Sequence, residues 1–215
     1  SGSAPQTPTR FPIQGSTAAG SRQRFRPFRR RALRLSQSFV GMRVLQKSLH
    51  AVTPDEGCAL LLGDSVPEPR VRVVWPCCNV WRPGFQGLDE QPVFGGGVTP
   101  SRQTRFALDP LEQIAAQRWG RRRGLDVLGS AHSHPGGDPS PSSIDRRWVA
   151  ADGVMVIDAG PGGLAGWWME RSTSGLISDS PRLAKVYPLQ LVGPQGVPLR
   201  DTGLSAKKQS PPASR

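Results

Sequence analysis

The spacing of apolar side chains after residue 41 predicts an amphipathic helix at residues 42–53. Its apolar positions recur at three- and four-residue steps, at Val44, Leu45, Leu49 and Val52. A stripe of this kind faces a core, and Pro54 ends the helix because proline cannot continue one. We expect His50, which is on this helix, to lie at the surface of the protein.

Short apolar runs predict the strands of a sheet. They are too short for confident helices, and glycines, prolines or polar turns bound them. The runs span residues 58–63, 71–75, 125–131, 153–158 and 164–169, with a short edge strand at 106–108 and a weaker strand near 186–189. The glycine-rich stretch 158–163 predicts a hairpin turn. Strands and helices together predict an α/β protein in which helices flank one sheet.

A second helix is predicted to start at Asp109, where aspartate as N-cap is followed by Pro110 and then by Glu112 in the first turn. We expect it to run to about Trp119 and to end at Gly120. The predicted inner face consists of Leu111, Ile114, Ala115 and Trp119. Three arginines follow at 121–123, and they suit either a solvated helix end or a docking patch for an acidic partner.

The positive charge is concentrated at the start of the chain. The formal net charge is +12, and residues 1–41 hold eight arginines and no acidic residue. The composition of this segment predicts a disordered tail. It fits a nucleic-acid-binding arm, a transit-like segment, a plain solvated tail, or sequence upstream of a natural start at Met42, the first methionine. We expect residues 42–190 to form one domain and 191–215 to be mostly disordered.

The cysteines and the hydropathy pattern indicate the environment of the protein. Cys58, Cys77 and Cys78 form neither a disulfide framework nor a zinc-ribbon pair, which predicts buried packing residues in a reducing compartment such as the cytoplasm. No run approaches the roughly 18 apolar residues of a membrane span, so we expect no membrane association.

The stretch 129–145 contains a candidate metal site. His132 and His134 lie two residues apart at the end of a predicted strand, so both rings can face one ion. After a Pro/Gly/Ser loop, Ser142 and Asp145 open a short helix running towards Ala151, where residues three apart share a face. Two imidazoles and a carboxylate suit Zn²⁺ and leave a coordination position for water. The pattern predicts one catalytic zinc ion per chain.

A zinc hydrolase also needs a group that takes a proton from water and passes it to the leaving amine. Glu56 lies at the entrance of the apolar strand 58–63, where a carboxylate can be partly buried. We therefore expect Glu56 to act as general base and then as general acid.

These residues carry a resemblance to a known family. The pattern His132-x-His134-Pro followed by Pro141-Ser142-x-x-Asp145 resembles the JAMM (MPN+, Mov34/PAD-1, JAB) metalloprotease motif. Residues 54–63 resemble the N-terminal sequence of that family, which holds the catalytic glutamate, although Ala59 stands where relatives usually have glycine. The resemblance is closest to the small stand-alone prokaryotic members.

The resemblance implies both fold and activity. It implies a mixed, curved sheet flanked by helices, the JAMM/MPN (cytidine-deaminase-like) fold, with His132, His134 and Asp145 as zinc ligands and Glu56 as the catalytic base. It also implies that the Ser142 hydroxyl stabilises the tetrahedral oxyanion. The implied reaction is hydrolysis of a peptide or isopeptide bond after a Gly-Gly tail on a ubiquitin-like or sulfur-carrier protein. Loop 83–104 would be a variable insertion that clasps the substrate tail, or a plain excursion of the chain.

Two alternatives stay open at this point. The chain shares the histidine and aspartate pattern with JAB-domain proteins of the RadC type, for which the arginine-rich arm suggests action on DNA. Nucleic acid is the less favoured partner, because the residues around Glu56 resemble the peptidase branch. The second alternative is a non-catalytic scaffold with the MPN fold, which is disfavoured because all five site positions have the required chemistry.

Overall fold

The computed structural model describes residues 32–35, 39–84, 99–172 and 183–193, with backbone alone at 32–35 and 39–41. The elements are β1 (Ala32–Leu35), α1 (Phe39–His50), β2 (Cys58–Asp64), β3 (Arg70–Cys77), α2 (Pro110–Arg121), β4 (Asp126–Ser133), α3 (Ser143–Arg147), β5 (Gly153–Asp158), β6 (Leu164–Glu170) and β7 (Lys185–Val192). A 3-10 turn at Gly160–Gly162 joins β5 to β6.

The strands form one mixed sheet in the order β1-β3-β2-β4-β5-β6-β7. Strands β4 and β5 run parallel, as do β1 and each of its two neighbours, and the other pairs are antiparallel. Because β1 pairs with both β3 and β7, the sheet curves until it closes on itself. The sequence predicted the strands β2 to β7 and their α/β arrangement, but not this closure.

Helices pack on both faces of the central strand β2, whose first six residues are all buried. Ala59 and Leu61 share a cluster with Leu45 and Leu49 of α1, whereas Leu60 and Leu62 pack with Ala116 of α2. Alternate residues of a strand point to opposite faces, so a continuous apolar run suits a strand covered on both sides. Full burial of one leucine side chain contributes about 1.5–3 kcal/mol.

The ordered part of the chain begins before the predicted boundary at residue 42. Strand β1 lies within the segment predicted as a disordered tail, and α1 begins at Phe39 and ends at His50. Strand β7 ends at Val192, beyond the boundary predicted at residue 190. The tail predictions for residues 1–31 and 194–215, and most of loop 83–104, fall outside the described residues.

Strand β3 continues through Pro76, where the sequence predicted a turn. Pro76 pairs with Ala59 of β2, whereas the other side of β3 pairs with β1 only at Arg70 and Val71. Proline is tolerated in a strand where its missing N–H would face an unpaired edge. The predicted edge strand at 106–108 is reduced to a single bridge between Asn79 and Leu108.

The inner face predicted for α2 is correct for Trp119, which packs against the sheet, and wrong for the other three residues, which are exposed. Leu111 and Ile114 are 75% and 45% exposed, and the fully buried residues of the helix are Ala116 and Gly120. The helix lies so close to β2 that a Cβ on Gly120 would lie 2.9 Å from the Leu62 side chain. Small residues therefore face the sheet at the closest approach, and Leu111 and Ile114 point outward.

The cysteines differ in their surroundings. All three are free; Cys58 is buried and Cys77 is partly buried, but Cys78 is exposed, so the prediction of three buried packing residues is wrong for Cys78. Among the helices described, none has the length and apolar character needed to cross a membrane.

Candidate metal-dependent active site

The site forms where the start of β2 meets the end of β4. These strands are antiparallel neighbours with Cys58 opposite His132, and the Ser133 amide donates to the Gly57 carbonyl at 3.0 Å. Continuing this register by two residues on each strand sets Glu56 opposite His134. The structure therefore brings together two strand ends that are 76 residues apart in sequence, as the sequence-based mechanism required.

His132, His134 and Asp145 converge on one point. The two imidazole Nε2 atoms lie 2.9 Å apart, and the Asp145 carboxylate oxygens lie 3.4 Å from His132 Nε2 and 3.5 Å from His134 Nε2. One ligand atom from each residue falls within 4.8 Å of the others. His132 and Asp145 are buried, whereas His134 remains partly exposed. The arrangement is a possible metal site that solvent reaches from the His134 side.

The donor atoms in this cluster fit a shared cation. His134 Nδ1 lies 2.6 Å from the Asp138 carbonyl oxygen, so its N–H donates there and Nε2 presents a lone pair. That lone pair faces Nε2 of His132, so the space between the two nitrogens suits a proton or a shared cation. His132 stacks on Phe106, with the ring centroids 4.3 Å apart. Two imidazole nitrogens and a carboxylate form a set that binds divalent transition metals.

Helix α3 positions Asp145 through a capping box. The Ser142 hydroxyl accepts from the Asp145 amide at 3.2 Å, and the Ser142 amide donates to Asp145 Oδ2 at 2.7 Å. Burial alone would raise the pKa of Asp145, but the charges and hydrogen bonds of His132 and His134 hold it below its usual range. Asp145 is therefore an ionised carboxylate, the form that binds a cation.

Ser142 lies at the surface beside Asp145. Its oxygen accepts the helix-capping hydrogen bond, and a hydroxyl that accepts one bond retains a hydrogen to donate. The position suits both a helix cap and a donor to a nearby oxyanion.

Glu56 is a buried carboxyl beside the cluster, with 6% of its surface exposed. Burial raises the pKa of Glu56 to about 8; the Asp145 charge adds to the rise, and His134 and Arg105 oppose it. A carboxyl with a pKa near neutrality can both take up and release a proton at physiological pH.

Backbone contacts fix the position of Glu56. Its amide donates to the Arg102 carbonyl at 2.7 Å, and its carbonyl accepts from the Asn79 side-chain amide at 2.9 Å. Asn79 also donates to the Arg105 carbonyl and accepts from the Ala107 amide at 3.1 Å. These hydrogen bonds give Asn79 a structural role and tie Glu56 to the segment that carries Phe106.

Several residues near the site were not identified from the sequence. Asp138 and Phe106 contact the histidine rings, and Asp158 is a fully buried carboxylate at the end of β5. His50, predicted as a surface residue, is 42% exposed but lies 3.2 Å from Asp158. The sequence offered one signal for the pair of Asp158 and His50. Asp158 is an aspartate that ends the apolar run 153–158, the strand that follows the histidines.

Comparisons with known proteins agree with the architecture. The chain is 28% identical over 110 residues to a protein named Desampylase from Haloferax volcanii; the alignment covers 51% of this chain and 66% of the relative, slightly less than two thirds of its length. The fold is similar to the solution structure of a protein from Desulfitobacterium hafniense, with a TM-score of 0.53 and 21% identity over 75% of this chain and 92% of the other.

The family assignment rests on most of the described fold. Residues 41–170 match the family described as prokaryotic homologs of the JAB domain, a span that begins in α1 and ends with β6. It includes Glu56 and the whole stretch from His132 to Asp145, and it confirms the family inferred from those residues. The chain belongs to the prokaryotic JAB-domain proteins of the JAMM/MPN family.

Proposed function

We propose that this protein is a zinc-dependent hydrolase that cleaves a peptide or isopeptide bond after the Gly-Gly tail of a ubiquitin-like or sulfur-carrier protein. The observation that carries the proposal is the convergence of His132, His134 and Asp145 beside the buried carboxyl of Glu56. The relative from Haloferax volcanii is named Desampylase, and this enzyme name supports a hydrolase assignment.

Three side chains would hold the metal ion. His132 and His134 would bind through Nε2, and Asp145 through a carboxylate oxygen, because these atoms face one another. Asp138 holds the ring of His134 with Nε2 turned to the cluster. Zinc bound there would supply Lewis-acid chemistry, polarising the scissile carbonyl and acidifying a water molecule.

The chain itself supplies the proton transfer. The Glu56 carboxylate takes a proton from the attacking water, and the resulting carboxylic acid gives it to the leaving amine. A pKa raised to about 8 by burial makes the carboxyl basic enough for the first step and acidic enough for the second. The Ser142 hydroxyl donates a hydrogen bond to the oxyanion as the carbonyl becomes tetrahedral.

The site excludes water on one side and admits substrate on the other. His132 and Asp145 are buried and Phe106 stacks on the His132 ring, whereas His134, the Ser142 end of α3 and loop 135–138 face solvent. Substrate therefore approaches from the side of His134 and Ser142. A slender Gly-Gly tail suits such an approach, because the absence of side chains allows its backbone to pass close to the buried residues.

The test measures metal content and cleavage together. Wild-type protein, Glu56→Gln and His134→Ala are compared for bound zinc by elemental analysis and for cleavage of a Gly-Gly-tailed ubiquitin-like fusion. We expect one zinc per wild-type chain, retained zinc with lost cleavage in Glu56→Gln, and loss of both in His134→Ala. Full activity in Glu56→Gln would remove Glu56 as the base. A wild-type chain that binds no metal would overturn the proposal and favour a scaffold.

A further inference from the structure

Ser133 lies between the two histidines but points to the opposite face of β4, because successive strand residues alternate. It is 3% exposed. Its hydroxyl oxygen accepts from the Gly57 amide at 2.8 Å, and the hydroxyl donates to the Leu49 carbonyl at 3.4 Å. One side chain thus joins the residue next to Glu56, the strand that carries the histidines and the end of α1.

The end of α1 is pressed against this junction. A Cβ on Gly57 would lie 2.1 Å from the Leu49 carbonyl oxygen, so only glycine fits there. The Ser133 hydroxyl satisfies one of the carbonyls that every helix end leaves without an intrahelical partner. The contact therefore combines backbone packing with a buried hydrogen bond, and both fix where β2 starts.

A second contact on the same side of the site involves Asp158, which pairs with Ser133 in the β4–β5 register. The Asp158 backbone carbonyl accepts from the His134 amide at 2.8 Å. Its fully buried side chain accepts from the Gly160 amide at 2.9 Å and lies 3.2 Å from His50 Nε2. The other carboxylate oxygen has no hydrogen-bond partner among the described residues.

A buried carboxylate with one unsatisfied oxygen is costly, and no step of the proposed reaction uses it. Its position gives the explanation, because Asp158 fixes the turn that supports the loop after His134. A Cβ on Gly162 of that turn would lie 2.1 Å from the Gly137 carbonyl oxygen. The neighbouring Asp138 carbonyl is the one that orients the His134 ring.

We propose that Ser133 and Asp158, the latter supported by His50, are positioning residues for Glu56 and His134. The Ser133 hydroxyl acts through its hydrogen bonds with Gly57 and Leu49, and the Asp158 side chain acts through the Gly160 amide. The proposal rests on the proposed function for its catalytic consequence. Ser133 sets the distance between the β2 and β4 ends, and the Asp158 side chain sets the turn that packs against the loop after His134.

The first experiment replaces Ser133 in the full chain. Ser133→Ala removes the hydroxyl, Ser133→Thr retains it, and Val154→Ala is the control, a truncation of a buried core side chain near the other end of β5. Zinc affinity is measured by chelator competition, and kcat and KM by cleavage of the Gly-Gly fusion. We expect Ser133→Ala to lose roughly 10- to 100-fold in kcat or zinc affinity with KM unchanged, and Ser133→Thr to recover most of the loss.

The second experiment needs neither zinc nor activity. Amide hydrogen exchange is followed by NMR in the metal-free protein for wild type, Ser133→Ala, Asp158→Ala and Val154→Ala. We expect Ser133→Ala to expose the Gly57 amide and Asp158→Ala to expose the Gly160 amide selectively, because each variant removes the side-chain oxygen that accepts from that amide. Val154→Ala should change the slowly exchanging amides together.

The results separate this proposal from the proposed function. If wild type neither binds zinc nor cleaves the fusion, the proposed function fails, and selective exchange at the Gly57 and Gly160 amides still supports the positioning role. If wild type is active but Ser133→Ala and Asp158→Ala match Val154→Ala in kcat, zinc affinity and amide exchange, the positioning role is overturned.

Discussion

At the scale of single residues, burial and the neighbouring imidazoles together decide the chemistry of the carboxyl groups. Glu56 and Asp145 are both buried, yet the pKa of Glu56 is raised to about 8 while that of Asp145 lies below its usual range. Asp145 has two imidazoles within 3.5 Å, whereas no hydrogen bond to the Glu56 carboxyl is seen among the described residues. Two carboxyls in one site are thus suited to opposite tasks, cation binding and proton transfer.

The raised pKa of Glu56 predicts a pH-dependent stability in the metal-free protein. The folded state holds a proton on Glu56 that the unfolded state releases above its ordinary pKa of 4.5. The stabilisation that the protonated Glu56 carboxyl contributes is therefore at its maximum below pH 4.5 and is lost as the pH rises through 8. Between these two pKa values the unfolding free energy should fall by up to about 1.4 kcal/mol for each pH unit. Urea unfolding in a chelator at pH 5 to 8 measures this fall.

Variants assign that slope to one carboxyl. Glu56→Gln should remove most of the fall in unfolding free energy between pH 5 and 8, whereas the surface variant Glu170→Gln should keep it. The part that remains comes from His134, since burial lowers the pKa of that imidazole but Asp145 raises it above its usual value. An unchanged slope in Glu56→Gln would show that Glu56 titrates near its ordinary value.

Ser142 caps helix α3, and the proposed function gives it a catalytic role as well; substitution can separate the two contributions. Ser142→Ala should cost about 1 kcal/mol in unfolding free energy through the lost cap and reduce kcat by roughly 100- to 1,000-fold through the lost oxyanion donor. The neighbouring exposed Ser143→Ala is the matched control and should change neither. A kcat loss no greater than about 10-fold in Ser142→Ala would limit the residue to its capping role.

At the scale of elements, local patterns predicted where helices and strands occur better than which way they face. Strand β5 and the start of α2 lie where the sequence placed them, because a bounded apolar run and an Asp-Pro cap are local signals. The inward face of α2 was mispredicted because hydrophobicity favoured Leu111 and Ile114. Close packing against Leu62 instead selects the small residues Ala116 and Gly120.

The observed face of α2 can be tested by enlarging neighbouring alanines. Ala116→Leu should destabilise the fold by about 1–3 kcal/mol, because Ala116 is fully buried and has no room for a larger side chain. Ala115→Leu on the exposed face should change the unfolding free energy by less than about 0.5 kcal/mol. Chemical denaturation of both variants gives the comparison, and equal losses would contradict the helix orientation.

At the scale of the whole molecule, β1 closes the sheet by pairing with β3 and β7. This strand precedes the matched family span, which starts at residue 41. An open sheet would leave the facing edges of β3 and β7 unpaired, and unpaired edges favour association with other chains. The four residues of β1 form two pairs with β3 and three pairs with β7, and they thereby protect both edges from association with other chains.

Truncation tests the contribution of β1. A chain starting at residue 36 should be less stable by a few kcal/mol than one starting at residue 32, at roughly 0.5–1.5 kcal/mol per net hydrogen bond lost. It should also self-associate more, as measured by denaturation and sedimentation. Zinc content should be unchanged, because the metal-site residues belong to β4 and α3. Equal stability of the two chains would show that β1 adds nothing to the fold.

The sequence by itself determined the residues of the metal cluster. His132 and His134 share a face because strand residues alternate, and Ser142 places Asp145 because a capping box links positions three apart. These relations extend over a few residues and need no knowledge of the fold. The JAMM/MPN family was predicted from the same spacing of His132, His134, Ser142 and Asp145.

Only the tertiary structure decided how the cluster is completed. The position of Glu56 opposite His134, its raised pKa, and the contacts of Ser133 and Asp158 on the other side of the site depend on strand register and burial. Both arise from packing between segments that are far apart in sequence. Local spacing therefore predicted which atoms could bind a metal, and long-range packing decided which carboxyl could carry the proton.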